Sequence, residues 1–191
     1  FIGPAKEESI DTILEMAQLK ESGKLEQLVV AGCLSQRYPG ELAESMPEVD
    51  VFLGSSDMLK LRKVLDGSAE RVLVGTPADW LIGSETPRAL SSRPGSAFLK
   101  IAEGCNRSCS FCVIPKLRGK QRSRTVADVV REAEQLAAMG VKELNLISQD
   151  TVAYGRDLEG RPTLPELVRA VAEVPGIAWV RLFYLYPETL T

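Results

Sequence analysis

The chain has no histidine in 191 residues. That removes the side chain most often used for proton transfer near neutral pH, so acid–base work falls to carboxylates, lysine, tyrosine or cysteine. It also removes the nitrogen ligand of mixed cysteine–histidine zinc sites. Cysteine is scarce as well, with four residues. Three of them crowd into one loop, and three local thiols cannot all pair among themselves as disulfides. No apolar run reaches the roughly eighteen residues of a membrane span, so no membrane partner is expected. No secretory signal stands at the front, where the chain begins at Phe1. There are no internal repeats and no low-complexity tracts. A net charge of −3 and a pI near 5.2 argue against a broad basic face for nucleic acid. Free, clustered thiols suit a reducing compartment and predict a cytoplasmic protein.

What remains is ordinary globular composition, 45% hydrophobic and 26% charged, with room for one large domain or two small ones. Apolar residues at helical spacing predict a helix over residues 5–22, stopped by Gly23. Leu28–Gly32 and Val51–Gly54 read as buried strands, and 71–74 as a third. Residues 39–46 read as a short helix. Ser56 is expected to cap another helix running to Leu65, with Met58, Leu59, Leu61 and Leu65 on its apolar side. This alternation predicts a small parallel-sheet α/β domain over 1–75. Prolines, glycines and serines then break every period, so 76–95 reads as a linker. A second α/β segment, 96–191, follows. It has strands over 97–102, 143–147 and 178–186, and helices over 124–139 and 164–172, with Pro165 in the first turn of the latter.

The eleven residues from Ala102 to Cys112, A-E-G-C-N-R-S-C-S-F-C, carry the most specific signal. Cys105, Cys109 and Cys112 stand at C-x3-C-x2-C on a polar loop after the strand. Clustered thiolates are soft ligands that select iron–sulfur clusters or zinc, and three of them leave a fourth metal position open. Inert buried thiols are the bland alternative. In parallel (β/α) barrels the active site forms at the C-terminal strand ends. Here those ends hold the cysteine loop, then Ser148, Gln149, Asp150 and Thr151, then Tyr186-Pro187-Glu188. Lys116, Arg118, Lys120, Arg122 and Arg124 alternate along 116–124, and in an extended segment they would share one face. That face is either a solvated edge or a contact for anionic groups.

The cysteine loop, with Phe111 just before the third cysteine, resembles that of the radical S-adenosylmethionine (radical SAM) superfamily. The string F-L-K-I-A-E-G-C-N-R-S-C-S-F-C-V-I-P-K-L-R-G-K-Q-R-S-R resembles its methylthiotransferase branch, and the likeness runs over essentially the whole chain. It implies an N-terminal methylthiotransferase domain followed by the first half of a partial (β/α) barrel, about three of six units. It implies that Cys105, Cys109 and Cys112 hold a 4Fe-4S cluster whose unique iron binds S-adenosyl-L-methionine. Phe111 would shield the cofactor. Gln149, beside Ser148, takes the second-strand position that meets the cofactor's amino group. Arg118 and Arg124, in the R-G-x-x-x-S-R string, would face anionic groups.

Cys33, in V-V-A-G-C-L-S-Q-R-Y, matches the third ligand of a second 4Fe-4S cluster. The resemblance places that cluster's other two cysteines upstream of Phe1. It places the ribose and adenine contacts, and a small RNA-binding-like domain, beyond Thr191. The chain is thus expected to be an internal fragment, inactive alone, with any nucleic-acid contact made through the later domain. The strings L-I-S-Q-D-T-V-A-Y-G-R-D-L and R-L-F-Y-L-Y-P resemble the branch that modifies the β-carbon of an aspartate in small ribosomal subunit protein S twelve. The alternatives are a tRNA adenosine methylthiotransferase and a non-enzymatic iron–sulfur or zinc module.

Overall fold

The structure, a computed structural model, describes residues 3–77, 81–90 and 95–189. The expected linker therefore lies partly outside the described residues, at 78–80 and 91–94. The chain forms two compact units, residues 1–80 with 109–118 and residues 81–108 with 119–191. The sequence reading gave the whole cysteine loop to the second domain. In the structure Cys109–Arg118 belong to the first unit.

In the first unit, α1 (Gly3–Glu21) buries only Ile13 and Ala17 and leaves most of its surface wet. It ends before Gly23, whose positive φ of 74° lets the chain turn away. Next come β1 (Val29–Gly32), α2 (Cys33–Arg37), α3 (Pro39–Ser45), β2 (Val51–Gly54), α4 (Leu61–Leu65) and β3 (Val72–Leu73). The sheet is parallel in the order β1-β2-β3, with Val30 opposite Phe52 and Leu53 opposite Leu73. The central strand β2 is buried at all four positions, as a strand covered on both faces must be. Phe52 packs with Ile13, Leu28 and Leu42 on one side, and Leu53 with Val51 and Val64 on the other. The segment after Ser56 departs from expectation. A 3-10 turn at Met58–Lys60 precedes α4, and no side chain caps it. The supposed apolar side, Met58, Leu59, Leu61 and Leu65, is exposed, and Val64 is the buried residue. A helix of five residues offers one inward position, too few for a stripe.

The second unit is built on β4 (Ser96–Lys100). After a one-residue break at Ile101 comes β5 (Ala102–Glu103). The helix α5 (Ile114–Arg118), which belongs with the first unit, is followed by β6 (Arg122–Ser123), α6 (Val126–Ala138), β7 (Glu143–Ile147), α7 (Leu164–Ala172) and β8 (Trp179–Leu182). The sheet is again parallel, in the order β4-β7-β8, with Leu99 opposite Leu146 and Leu146 opposite Leu182. One face packs on α6 and α7 through Leu99, Leu144 and Leu146 against Val129, Ala133, Leu136, Leu167 and Val171, all essentially dry. Each such leucine contributes roughly 1.5–3 kcal/mol by leaving water.

The two helices start where the sequence says they should. Thr125 accepts from the Asp128 amide at 3.2 Å, and Thr163 and Glu166 form a reciprocal capping box with Pro165 in the first turn. The described part of the supposed linker is not a free tether. The Ser84 amide and hydroxyl donate to Asp128 at 3.0 and 2.6 Å, and Arg88 pairs with Glu132 at 2.6 Å, which straps 84–88 onto α6. Residues 116–124 are not one extended run either. Lys116 and Arg118 lie on α5, and only Arg122–Ser123 is strand. That helix starts at Ile114, with Pro115 tolerated in its first turn.

Candidate functional site

The cysteine loop leaves β4 through a narrow gate. β5 pairs antiparallel with β6, Ala102 opposite Ser123 and Glu103 opposite Arg122, so residues 104–121 are an excursion closed at its base by a two-stranded clip. Gly104 sits in that gate at φ +80°, and a Cβ there would collide with the carbonyls of Gly119 and Lys120. No other residue fits without movement. The next amide, that of Cys105, donates to the Gly119 carbonyl at 3.1 Å. Cys105 is buried, and its Sγ accepts from the Arg107 amide at 3.5 Å. Among those loop residues that belong to the first unit, the Cys112 amide donates to the Cys109 carbonyl at 3.0 Å. All four cysteines are free thiols, with Cys33, Cys109 and Cys112 half-buried.

These donors suit an iron–sulfur cluster chemically: soft thiols on irregular backbone, one already receiving an amide N–H of the kind that tunes cluster sulfurs. Among the described residues no three cysteine, aspartate or glutamate side chains are gathered as a metal-binding set. Gln149 is half-buried, but its Oε1 is buried with no hydrogen-bond partner, an orphan acceptor one residue past Ser148. Ser148 is 5% exposed and shares a 3.1 Å hydrogen bond with Thr151. Phe111 is 91% exposed, so it packs on no core.

The strand ends of the second unit converge on one cation. Arg107 Nε donates to Asp150 Oδ2 at 2.7 Å, its guanidinium lies 3.4 Å from the centre of the Tyr186 ring, and Glu188 stands 3.9 Å away. The hydrogen bond to Asp150, ahead of the nearby charges, pushes the guanidinium pKa still higher. The sequence reading named Asp150, Tyr186 and Glu188 as rim residues but passed over Arg107. A lone arginine inside the loop was its only signal.

Arg124 needs correction. The expectation was that it would face anionic groups of a bound partner. Instead it is 2% exposed beneath α6, with Nε on Asp128 at 2.7 Å and Nη1 on Glu132 at 2.6 Å and on the Lys100 carbonyl. The anions it meets are the protein's own. Burial raises the Asp128 carboxyl, but donors from Ser84 and the Arg124 charge outweigh it and hold it below its ordinary value. Tyr154, pushed up to about 12 by burial, donates to the Arg124 carbonyl at 2.7 Å. Arg118 takes a different place. Within the first unit its Nη2 donates to Cys33 Sγ at 3.4 Å. Cys33 opens α2 and lines a cavity of about 510 Å³ beside α1.

The profile described as Radical SAM superfamily matches residues 99–191, and that of the uncharacterized protein family UPF0004 matches residues 1–54. The chain is 70% identical over its whole length to the ribosomal protein uS12 methylthiotransferase RimO of Sorangium cellulosum, covering 40% of that protein. It is 52% identical to the protein of the same name from Syntrophus aciditrophicus, covering 44% of it. The chain thus spans about two fifths of the length of these curated relatives. A solved radical S-adenosylmethionine methyltransferase, TsrM from Kitasatospora setae with cobalamin and a 4Fe-4S cluster bound, superposes on 75% of the chain and 33% of its own with a TM-score of 0.50 at 18% identity, a likeness of fold. Among the described residues no helix is long and apolar enough to cross a membrane. Matched along its entire length by these relatives and across both parts by the two profiles, the chain belongs to the radical SAM methylthiotransferase family, in its RimO branch.

Proposed function

We propose that this chain forms part of a cytoplasmic enzyme that inserts a methylthio group at the β-carbon of an aspartate in ribosomal protein uS12. The observation that carries the reading is the placement of the C-x3-C-x2-C loop. It leaves the end of β4, and Arg107 ties its first part to the ends of β7 and β8, the side of a (β/α) fold where chemistry is done. Cys105, Cys109 and Cys112 would hold the 4Fe-4S cluster. The cluster and S-adenosyl-L-methionine, when bound, supply the radical hydrogen abstraction that no protein side chain can perform.

The chain's own residues do the positioning. Gly104 lets the loop leave the strand, and the Arg107 amide is directed at the Cys105 sulfur. The free Gln149 Oε1 suits a donor such as the cofactor's ammonium. Phe111, fully outside the core, is free to cover what binds above the loop. Cys33 would serve the second 4Fe-4S cluster, and Arg118 already addresses its sulfur.

The test is expression of the full-length protein in a host lacking the modification, with mass spectrometry of uS12 and of tRNA. A methylthio-aspartate in uS12 is expected, and modified adenosine in tRNA with unmodified uS12 would overturn the substrate. Cys105→Ala, Cys109→Ala and Cys112→Ala are each expected to abolish deoxyadenosine formation. Normal yield from any of them would remove it from the ligand set.

A further inference from the structure

Two charges stand within two residues of Cys105, one on either side, and each has a partner. Glu103 is 2% exposed and pairs with Lys100 at 2.6 Å. Arg107 donates Nε to Asp150 Oδ2 at 2.7 Å, and Asp150 is 3% exposed. The other oxygen of that carboxylate, Oδ1, is buried with no hydrogen-bond partner among the described residues. Arg107 is therefore the cation that balances Asp150. Its side chain is 26% exposed and lies flat on the Tyr186 ring, 3.4 Å from the centre. Water and salt screen so dry a pair poorly, so removing one member leaves a full charge beside the loop. The backbone amide of Arg107 also donates to the Cys105 sulfur at 3.5 Å. One residue thus addresses the thiolate with its amide and holds a charge one side chain's reach away.

The reduction potential of an iron–sulfur cluster follows the net charge around it and the N–H donors to its sulfurs. We propose that Arg107 and Asp150 are positioning residues that set the potential of the 4Fe-4S cluster held by Cys105. Arg107 raises it, through its charge and through the amide it keeps against the sulfur, and Asp150 lowers it. The proposal rests on the cluster reading of the loop and extends it to the residues that govern how readily the cluster takes an electron. The reason is charge balance: one-electron reduction adds a negative charge, which a nearby cation favours and a nearby carboxylate opposes. A unit charge about 10 Å away, at an effective dielectric of about 20, shifts a one-electron equilibrium by about tenfold. Paired, the two charges largely cancel. The sign of the shift then depends on which partner is removed.

The full-length enzyme, loaded with iron and sulfide, tests it in a redox titration with dithionite followed by electron paramagnetic resonance. The loop cluster is the one whose signal changes when S-adenosyl-L-methionine is added. Arg107→Met is expected to lower its potential and Asp150→Asn to raise it. Each shift is about tenfold in the ratio of reduced to oxidised cluster at a fixed potential, or about 59 mV for one electron. The double variant is expected to return close to the wild-type potential, and Arg107→Lys, which keeps the charge, to reverse most of the Arg107→Met shift. The signs separate tuning from support. A merely structural pair loosens the loop when broken from either side, so both single variants would move the same way. Shifts in the same direction, or no shift, overturn the proposal. If Arg107→Met holds no cluster, Asp150→Asn decides by itself: a raised potential supports the proposal, and an unchanged or lowered one overturns it. A wild-type enzyme that assembles no 4Fe-4S cluster sinks the cluster reading. One that assembles it, with a potential indifferent to these substitutions, sinks the tuning role alone.

Discussion

Arg107 lies with its guanidinium 3.4 Å from the centre of the Tyr186 ring, so a loop that begins at β4 is seated on the chain that follows β8. The same cation pairs with Asp150 after β7. Three strand ends are thus joined through one side chain, and the stack adds the attraction of a cation over an aromatic face. Glu188 contributes little, being 67% exposed at 3.9 Å.

Arg107→Met removes the partner of a buried carboxylate, and an unpaired buried charge destabilises. The thermal midpoint is expected to fall, and Arg107→Lys to recover only part of it, since an ammonium keeps the charge but loses the Nε–H donor and the flat stack. Adding Asp150→Asn to Arg107→Met is expected to restore much of the loss, which calorimetry on the four proteins measures as a coupling between the two sites.

Local pattern made some of this legible. The apolar stripe of α6, its stop at Gly140, the runs of β1, β2 and β7, and the cysteine spacing all announce themselves within a few residues. What pattern does not carry is pairing at long range. Arg107 finds Asp150 forty-three residues away, and Ser84 finds Asp128 at forty-four, so a docked strap read as a linker and a tether read as loop filler. The basic stretch misled because its alternation puts the cations on one face only if the segment is extended, whereas Lys116 and Arg118 lie on the helix that begins at Ile114. Arg124 misled because a cation beside a cofactor motif looks functional until its burial under Asp128 and Glu132 is seen.

Gly104→Ala is expected to destabilise the second unit by about 1–3 kcal/mol, through a positive φ that alanine adopts poorly and a Cβ aimed at the Lys120 carbonyl. Urea unfolding measures it. The loss should be accompanied by faster proteolysis between 104 and 121, because the β5–β6 clip is what closes that excursion.

Arg124→Met leaves Glu132 and Asp128 without their shared cation and is expected to cost about 3 kcal/mol at pH 7, read from the urea midpoint. The acid limb follows from Asp128. Its carboxyl is held below its ordinary value in the folded chain, so its contribution is fully present above about pH 4 and is lost as pH falls through the depressed folded value. Asp128→Asn is therefore expected to be less stable than the wild type at pH 7, with the gap closing on acidification. A gap that stays constant from pH 7 down to about pH 2.5 would contradict the depressed value.

Cys33 and Arg118 yield the prediction that separates two chemical roles. Arg118 ends the helix that follows the cysteine loop, and its Nη2 reaches the Cys33 sulfur at 3.4 Å within one compact unit. If Cys33 serves the second cluster, Cys33→Ala in the full-length enzyme should abolish methylthio insertion and leave deoxyadenosine formation intact, because the loop cysteines are untouched. Arg118→Met should act in the same direction but more weakly, since it removes a hydrogen bond to the sulfur and not the sulfur itself. Counting deoxyadenosine and methylthiolated uS12 in the same reaction gives the ratio directly. Both variants should raise it, Cys33→Ala without limit and Arg118→Met by a finite factor. Loss of deoxyadenosine in step with product, in either variant, would place Cys33 in the radical step and abolish the division of labour.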